Sequence, residues 1–161
     1  MDDQSLSHRE TSFEIEHGHD AYTDEELLEQ SQFNAQALLL AAVAALDGDD
    51  ATIDIWTKGV GEVFIRGWDR QRTWEASEIL DALLTNYRSF GAQVIEVDLE
   101  GEHPVATIAD LPDLGLAEDL QVPEEKADAI FQIGAHIVAA LGHTLVWSRA
   151  TDSGDVTLTV T

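Results

Sequence analysis

Three times along this chain, a helix-like apolar pattern ends at a glycine and is followed by two short segments of alternating apolar and polar residues. The glycines are Gly48, Gly91 and Gly142, and glycine most readily adopts the left-handed conformation that ends a helix. A period of two is typical of half-buried strands, and a short turn between two strands pairs them antiparallel. The pattern predicts three helix-strand-strand units, and hence an α+β fold with a mostly antiparallel six-stranded sheet and helices packed on one face.

The two strands of each pair are joined by a short turn that contains a glycine. They are predicted at 51–57 with 62–68, at 92–99 with 104–109, and at 143–149 with 155–160. A further alternating stretch at 12–16 would add a seventh strand. We expect a single domain over residues 12–161, because a chain of this length encloses one core. Residues 1–11 are polar and aperiodic, which predicts a disordered or loosely attached leader.

The first helix is predicted from residue 24 to residue 46. Its start carries a capping box, in which the side chains of Thr23 and Glu26 each accept a hydrogen bond from the other residue's amide. Its second half is apolar except for Gln36, which favours a helix buried at the centre of the core. The other predicted helices are 73–91, with Thr73 as its cap, and 123–142, which begins at Pro123.

The chain is strongly acidic, with 32 Asp and Glu against 8 Lys and Arg and a formal net charge of -24. Carboxylates in every segment favour adaptation to high salt, as in halophilic organisms, because molar salt shortens the screening length to about 3 Å and removes most self-repulsion. A nucleic-acid mimic or a binder of basic partners would carry a similar charge. Direct binding to nucleic acid is not expected, since the cations that neutralise phosphates are scarce.

The chain contains no cysteine, which excludes disulfides, thiolate metal sites and cysteine nucleophiles. Its most apolar run, 35–46, is too short to cross a bilayer, and no basic segment followed by an apolar one begins the sequence. We therefore expect a cytoplasmic protein that does not interact with membranes.

Half of the basic residues fall within the 17 residues from 58 to 74, which we call the cationic segment. Guanidinium groups beside aromatic rings are used to bind anions, stacked ligands and protein partners. An alternative is that these arginines pair with the chain's own carboxylates and cover apolar surface with their stems. The predicted binding residues are Lys58, Arg66, Trp68, Arg70, Arg72 and Trp74.

Two histidines near the start of the chain are candidates for a metal site. His17 and His19 point the same way on an extended segment, and neighbouring acids such as Glu16 or Asp20 would complete a ligand shell. The alternative is a turn that leads into the first helix, with the acids serving as cap and first-turn residues.

A pocket between sheet and helices is a further candidate site. Its predicted lining residues are Trp56, Trp68, Trp147, Glu96 and Asp98. The alternative for the two acids is the solvated face of a sheet, where such residues are common. No catalytic residue and no cofactor is predicted, because neither a nucleophile-elbow serine nor a histidine pair at helical spacing of four is present.

Residues 131–161, "FQIGAHIVAALGHTLVWSRATDSGDVTLTVT", resemble the closing helix-hairpin of vinyl-reductase-type ligand-binding domains, with Gly134, Gly142 and the "GDVTLTV" strand matching in type. The resemblance covers about a fifth of the chain and implies a ligand-sensing module without catalysis. The cysteines that many such domains carry in this hairpin are absent here. That family would also be helical where residues 52–67 form a predicted hairpin.

Two interpretations of function follow. The first is a non-catalytic cytosolic binding or regulatory domain of a salt-adapted organism, a homodimer through its sheet, which uses the cationic segment to bind a protein partner or a small anionic ligand. The second is a small-molecule sensor, or a small enzyme, with a pocket between sheet and helices. A cavity of several hundred Å³ would favour the second, because ligand sites span roughly 300–1,000 Å³.

Overall fold

The computed structural model describes residues 23–46 and 49–161, and it has the predicted α+β class. In this part of the chain six helices accompany a four-stranded sheet. The helices are α1 (Asp24–Ala45), α2 (Asp50–Phe64), α3 (Ala76–Ser89), α4 (Leu114–Asp119), α5 (Glu124–Ala127) and α6 (Ala129–Ala140), with a 3₁₀ turn at Ile65–Gly67. The strands are β1 (Gln93–Asp98), β2 (Val105–Ala109), β3 (Leu145–Arg149) and β4 (Val156–Val160).

The sheet has the order β1-β2-β4-β3, and all neighbouring strands are antiparallel. The predicted hairpins at 92–109 and 143–160 are confirmed as β1–β2 and β3–β4. The two hairpins join through β2 and β4, where Ile108 lies opposite Val156. The prediction of six or seven strands was wrong for the described residues, and two helix-hairpin units replace the three expected.

The missing hairpin at 51–68 is a helix. Asp49 caps α2, since its carboxylate accepts a hydrogen bond from the Thr52 amide at 3.1 Å. The buried residues of α2 are Ile53, Thr57 and Gly61, which are spaced four apart and therefore share one helical face. The alternation that resembled a strand placed Ile55 on the opposite side, where it is 72% exposed.

Helix α1 and its capping box are confirmed, and the Glu26 amide donates to the Thr23 hydroxyl at 3.2 Å. The expectation that α1 lies at the centre of the core was wrong. Only Gln36, Leu40 and Val43 are buried on this helix, and Leu38 is 74% exposed.

The other two helix predictions need correction, one at its start and one at an internal break. Helix α3 begins after Glu75, whose amide donates to the Glu78 carboxylate at 3.0 Å, so Thr73 is not the cap. The third predicted helix is split into α5 and α6 at Asp128. The Asp128 carboxylate accepts from the Trp147 indole at 3.1 Å and pairs with Arg149, which ties the break to β3.

Helices α3 and α6 pack against one face of the sheet and enclose the main core with Ile108, Val156, Leu158 and Val160. A second apolar cluster joins α1, α2, α4 and α5. The opposite face of the sheet carries Thr107 opposite Thr157, with hydroxyls 3.5 Å apart, and Val146, which is 54% exposed. We call this the open sheet face.

The predicted leader at 1–11 and the predicted strand at 12–16 lie outside the described residues. Of the helices that are described, none is long and apolar enough to cross a membrane.

Candidate functional site

The cationic segment runs from the middle of α2, through the 3₁₀ turn, into the loop before α3. The structure brings its two tryptophans together: the rings of Trp68 and Trp74 meet edge to face, with centroids 4.9 Å apart and an interplanar angle of 64°. The Arg72 guanidinium lies 3.8 Å from the centroid of the Trp74 ring. Such a cation–π contact favours the position of the Arg72 side chain over the Trp74 ring.

Trp74 is held at both its side chain and its backbone. Its indole nitrogen donates to the Asp69 carbonyl at 2.8 Å, which closes the loop on itself. Its own carbonyl lies 2.9 Å from Nε2 of His143, the residue that follows Gly142 at the end of α6. The loop is therefore fixed to α6, and the tryptophan pair has a defined position.

The basic residues of the segment divide into two groups. Arg72 forms an ion pair with Glu78 at 2.5 Å, and this hydrogen bond raises the pKa of Arg72 and lowers the pKa of Glu78. Arg72 therefore pairs with one of the chain's own carboxylates, as the alternative to a binding role proposed for these arginines. Lys58, Arg66 and Arg70 are exposed and form no ion pair within the described part of the chain.

The tryptophan pair forms one wall of a cleft of about 730 Å³ between the 3₁₀ region, α3 and α6. We call it the aromatic cleft. Its walls are mainly apolar, with several polar side chains of α3 among them. The lining residues are Phe64, Gly67, Trp68, Trp74, Asp81, Ala82, Leu83, Thr85, Asn86, Tyr87, Ser89, Phe90, Ile130, Ile133, Gly134 and Ile137.

Tyr87 is the most unusual residue of this lining. The residue is 3% exposed, and its hydroxyl has no hydrogen-bond partner in the described part of the chain. Burial raises the pKa of this hydroxyl well above its ordinary value, so the group stays protonated. Gly134 lies beside it, and a Cβ atom at that position would be 2.2 Å from the Tyr87 oxygen.

The other predicted pocket residues are not brought to this cleft. Trp56 is half-buried on α2 against the second apolar cluster. Trp147 packs on Phe131, with ring centroids 5.9 Å apart. Glu96 and Asp98 are exposed on β1. Of the predicted pocket residues, only Trp68 lines the cleft.

The predicted metal ligands His17 and His19 lie outside the described residues. Within residues 23–46 and 49–161, no three His, Asp or Glu side chains are grouped in a way that would hold a metal ion.

The sequence analysis did not identify Tyr87 as a site residue, and it used Gly134 only in the family resemblance. The buried residues of α3 other than Tyr87 are Ile79, Leu80, Leu83 and Leu84, so the phenol carries a polar group into an apolar helix face, and that was the available signal. Its partner residue on α6 could be identified only once the helices were packed.

Comparison of the chain with protein-family models, with curated proteins and with solved structures found no match. The resemblance of residues 131–161 to vinyl-reductase-type domains therefore gains no support from known proteins.

Proposed function

We propose that this protein is a non-catalytic domain that binds a small, largely apolar molecule in the aromatic cleft. The observation that carries the proposal is the cleft itself: about 730 Å³, walled by Trp68, Trp74 and the aliphatic residues of α6. Ligand sites are concave, mainly apolar and roughly 300–1,000 Å³ in volume, with a few polar groups that orient the ligand. The cleft matches that description in size and in lining.

The location of the cleft differs from the expected one, since it opens between two helices and the 3₁₀ region and not between sheet and helices. The position of α2 supports the interpretation of the protein as a sensor. The resemblance to vinyl-reductase-type domains implied a helix at 52–67, and α2 covers Asp50–Phe64. The proposed setting is the cytosol of a salt-adapted organism, for which the net charge of -24 is the support. Homodimer formation through the open sheet face is part of the same proposal.

Arg66 and Arg70, which form no ion pair within residues 23–46 and 49–161, favour a ligand that carries an anionic group. Arg66 and Arg70 flank Gly67 and Trp68, which both line the cleft. Both arginines are exposed, and a guanidinium is the side chain best suited to bind a carboxylate, sulfonate or phosphate. The same two residues support a second candidate function, binding of an anionic surface of a protein partner, in which the cleft itself would stay empty.

Two fluorescent probes test the proposal. 1-Anilinonaphthalene-8-sulfonate carries an anion on an aromatic body, and N-phenyl-1-naphthylamine is its neutral counterpart. Both should bind the folded protein in molar KCl, with the sulfonate probe binding more tightly. Replacing Arg66 and Arg70 with glutamine should remove that preference and leave the neutral probe unaffected.

A cleft-filling variant locates the binding site. Ala82→Phe places a ring in the cleft and should abolish binding of both probes, whereas Ala140→Phe, on the exposed side of α6, should not. Urea unfolding of both variants shows that they remain folded. Equal binding to wild type and Ala82→Phe would refute the cleft as the site. If the wild-type protein captures an anionic protein but binds neither probe, the second candidate function, binding of a protein partner, is favoured.

A further inference from the structure

Helix α3 gives the aromatic cleft one polar wall. Four residues of α3 that line the cleft are polar and exposed, and their spacing of about four places them on one side of the helix. Because they are exposed, a molecule in the cleft can contact them. We call them the α3 wall: Asp81, Thr85, Asn86 and Ser89.

The two hydroxyl groups of the α3 wall can accept a hydrogen bond from a ligand but cannot donate one. Each has a single proton, which Thr85 donates to the Asp81 carbonyl at 3.2 Å and Ser89 donates to the Asn86 carbonyl at 2.5 Å. Asn86 donates one N–H to the Ala82 carbonyl at 3.2 Å, and it keeps its amide oxygen and a second N–H for other partners. Most of the free hydrogen-bonding groups of the wall are therefore acceptors.

Asp81 adds a negative charge to these acceptors. It is the one charged residue among the described residues that line the cleft, and its carboxylate forms no ion pair within the part of the chain that the structure describes. The tryptophan pair in the same lining does not oppose a positive charge, since the face of an indole ring attracts cations. The cleft thus favours a cation that donates hydrogen bonds.

We infer that the ligand of the aromatic cleft is a primary amine on an apolar body, and that its ammonium group binds to the α3 wall at Asp81. An ammonium group has three N–H donors and no acceptor, which complements a wall of free acceptors and one carboxylate. This inference rests on the proposed function of the cleft. It agrees with the anionic group that Arg66 and Arg70 favour, because an amino acid with an apolar side chain carries both charges.

Two compounds of similar shape test the inference. 2-Naphthylmethylamine carries an ammonium group at neutral pH where 2-ethylnaphthalene carries a methyl group, so the two differ mainly in charge and in N–H donors. Displacement of N-phenyl-1-naphthylamine from the protein gives a dissociation constant for each. Molar KCl screens the general attraction of a cation to a chain of net charge -24, so that direct contacts decide the result.

Asp81→Asn should weaken binding of the amine about tenfold, the loss expected from one hydrogen bond to a charged group, and should leave 2-ethylnaphthalene unaffected. Glu62→Gln is the matched control, because it removes one exposed carboxylate from α2 outside the cleft lining. It should leave both affinities unchanged. Urea unfolding shows that the variants remain folded.

Thr85→Val tests the acceptors separately from the charge. The variant keeps the shape of the side chain and removes its hydroxyl, so it should weaken the primary amine about fivefold. The N,N,N-trimethyl derivative of the amine has the same charge and no N–H, and its affinity should not change.

The outcomes separate this inference from the proposal on which it rests. If Asp81→Asn weakens the amine no more than Glu62→Gln does, or if Thr85→Val weakens both amines equally, the assignment of a primary amine is overturned and the cleft remains a binding site. If wild type binds neither N-phenyl-1-naphthylamine nor the two test compounds up to their solubility limits, the proposed function is overturned, and this inference with it.

Discussion

Replacing Gln36 with methionine should lower the free energy of unfolding by about 3 kcal/mol, which is three hydrogen bonds at about 1 kcal/mol each. Gln36 is 8% exposed, and its amide nitrogen donates to the carbonyls of Phe90 at 2.8 Å and Asp110 at 3.1 Å. Its amide oxygen accepts from the Asp113 backbone at 2.7 Å. One side chain thus ties α1 to the end of α3 and to the loop before α4.

Methionine matches glutamine in length but leaves two carbonyls and one amide without these partners. Unpaired backbone groups account for most of the expected loss, since the new side chain fills the same volume. In a domain of this size each kcal/mol shifts Tm by roughly 2–4 °C, so the variant should melt about 6–12 °C below wild type.

Urea unfolding in molar KCl, followed by circular dichroism, measures this difference. Gln32→Met is the matched control on the same helix, because Gln32 makes one hydrogen bond, to the Arg88 carbonyl at 2.8 Å. It should cost about 0.5–1 kcal/mol. A loss from Gln36→Met no larger than that of the control would refute the role given to the buried amide.

Three further predictions concern the charge of the whole chain, the contact between α2 and α6, and the ion pair between Arg149 and Asp128. Lowering the salt from 1 M to 0.1 M KCl lengthens screening from about 3 Å to about 10 Å and should lower Tm, whereas full stability in dilute buffer would contradict salt adaptation. Gly61→Ala places a Cβ 2.9 Å from that of His136 and should cost about 1–3 kcal/mol. Gly59→Ala is the control, because a Cβ at that position meets nothing within 4 Å, and it should stabilise α2 by about 0.5–1 kcal/mol. Equal changes in the free energy of unfolding for the two variants in urea would show that Gly61 is not needed for close packing against His136. Arg149→Met should lower the free energy of unfolding in urea by about 3 kcal/mol, because the Arg149 side chain is 10% exposed and pairs with Asp128. A loss below about 1 kcal/mol would show that this ion pair contributes little to stability.

The parts of the fold that the sequence predicts correctly depend on neighbouring residues. The capping box at Thr23 and Glu26 needs only a spacing of three, and it places the start of α1 correctly. The two confirmed hairpins each combine alternation with a turn that contains a glycine. In each case the decisive interaction spans a few residues, so the local pattern contains it.

The error at 51–68 has a tertiary cause. Alternation over "TIDIWT" satisfies a strand, but the same residues satisfy a helix that buries one residue in four. Gly61 lets α2 approach α6 closely, with the glycine against the His136 side chain, and that packing selects the helix. A short alternating run does not distinguish the two structures without its packing partner.

The candidate site was predictable in part. Trp68 and Trp74 were found through an unusual local composition, and they do form one wall of the cleft. The pairing of Arg72 with Glu78, by contrast, removes one predicted binding residue from the available cations. Tyr87 and Gly134 belong to different helices and meet only in the folded chain, so their relation has no local signature.

We expect the pairing of β2 with β4 to be a slow step in folding, because these strands are far apart in the chain. Each hairpin closes a short loop, and hairpins form in about 1–10 μs. The β2–β4 ladder must wait until α4, α5 and α6 have brought the second hairpin back to the first, because all three helices lie between these strands in the chain. Pulsed hydrogen exchange during refolding should therefore protect amides of the β1–β2 and β3–β4 ladders before those of β2–β4. Until then both hairpins present an open edge to other chains, so refolding yield should fall as protein concentration rises.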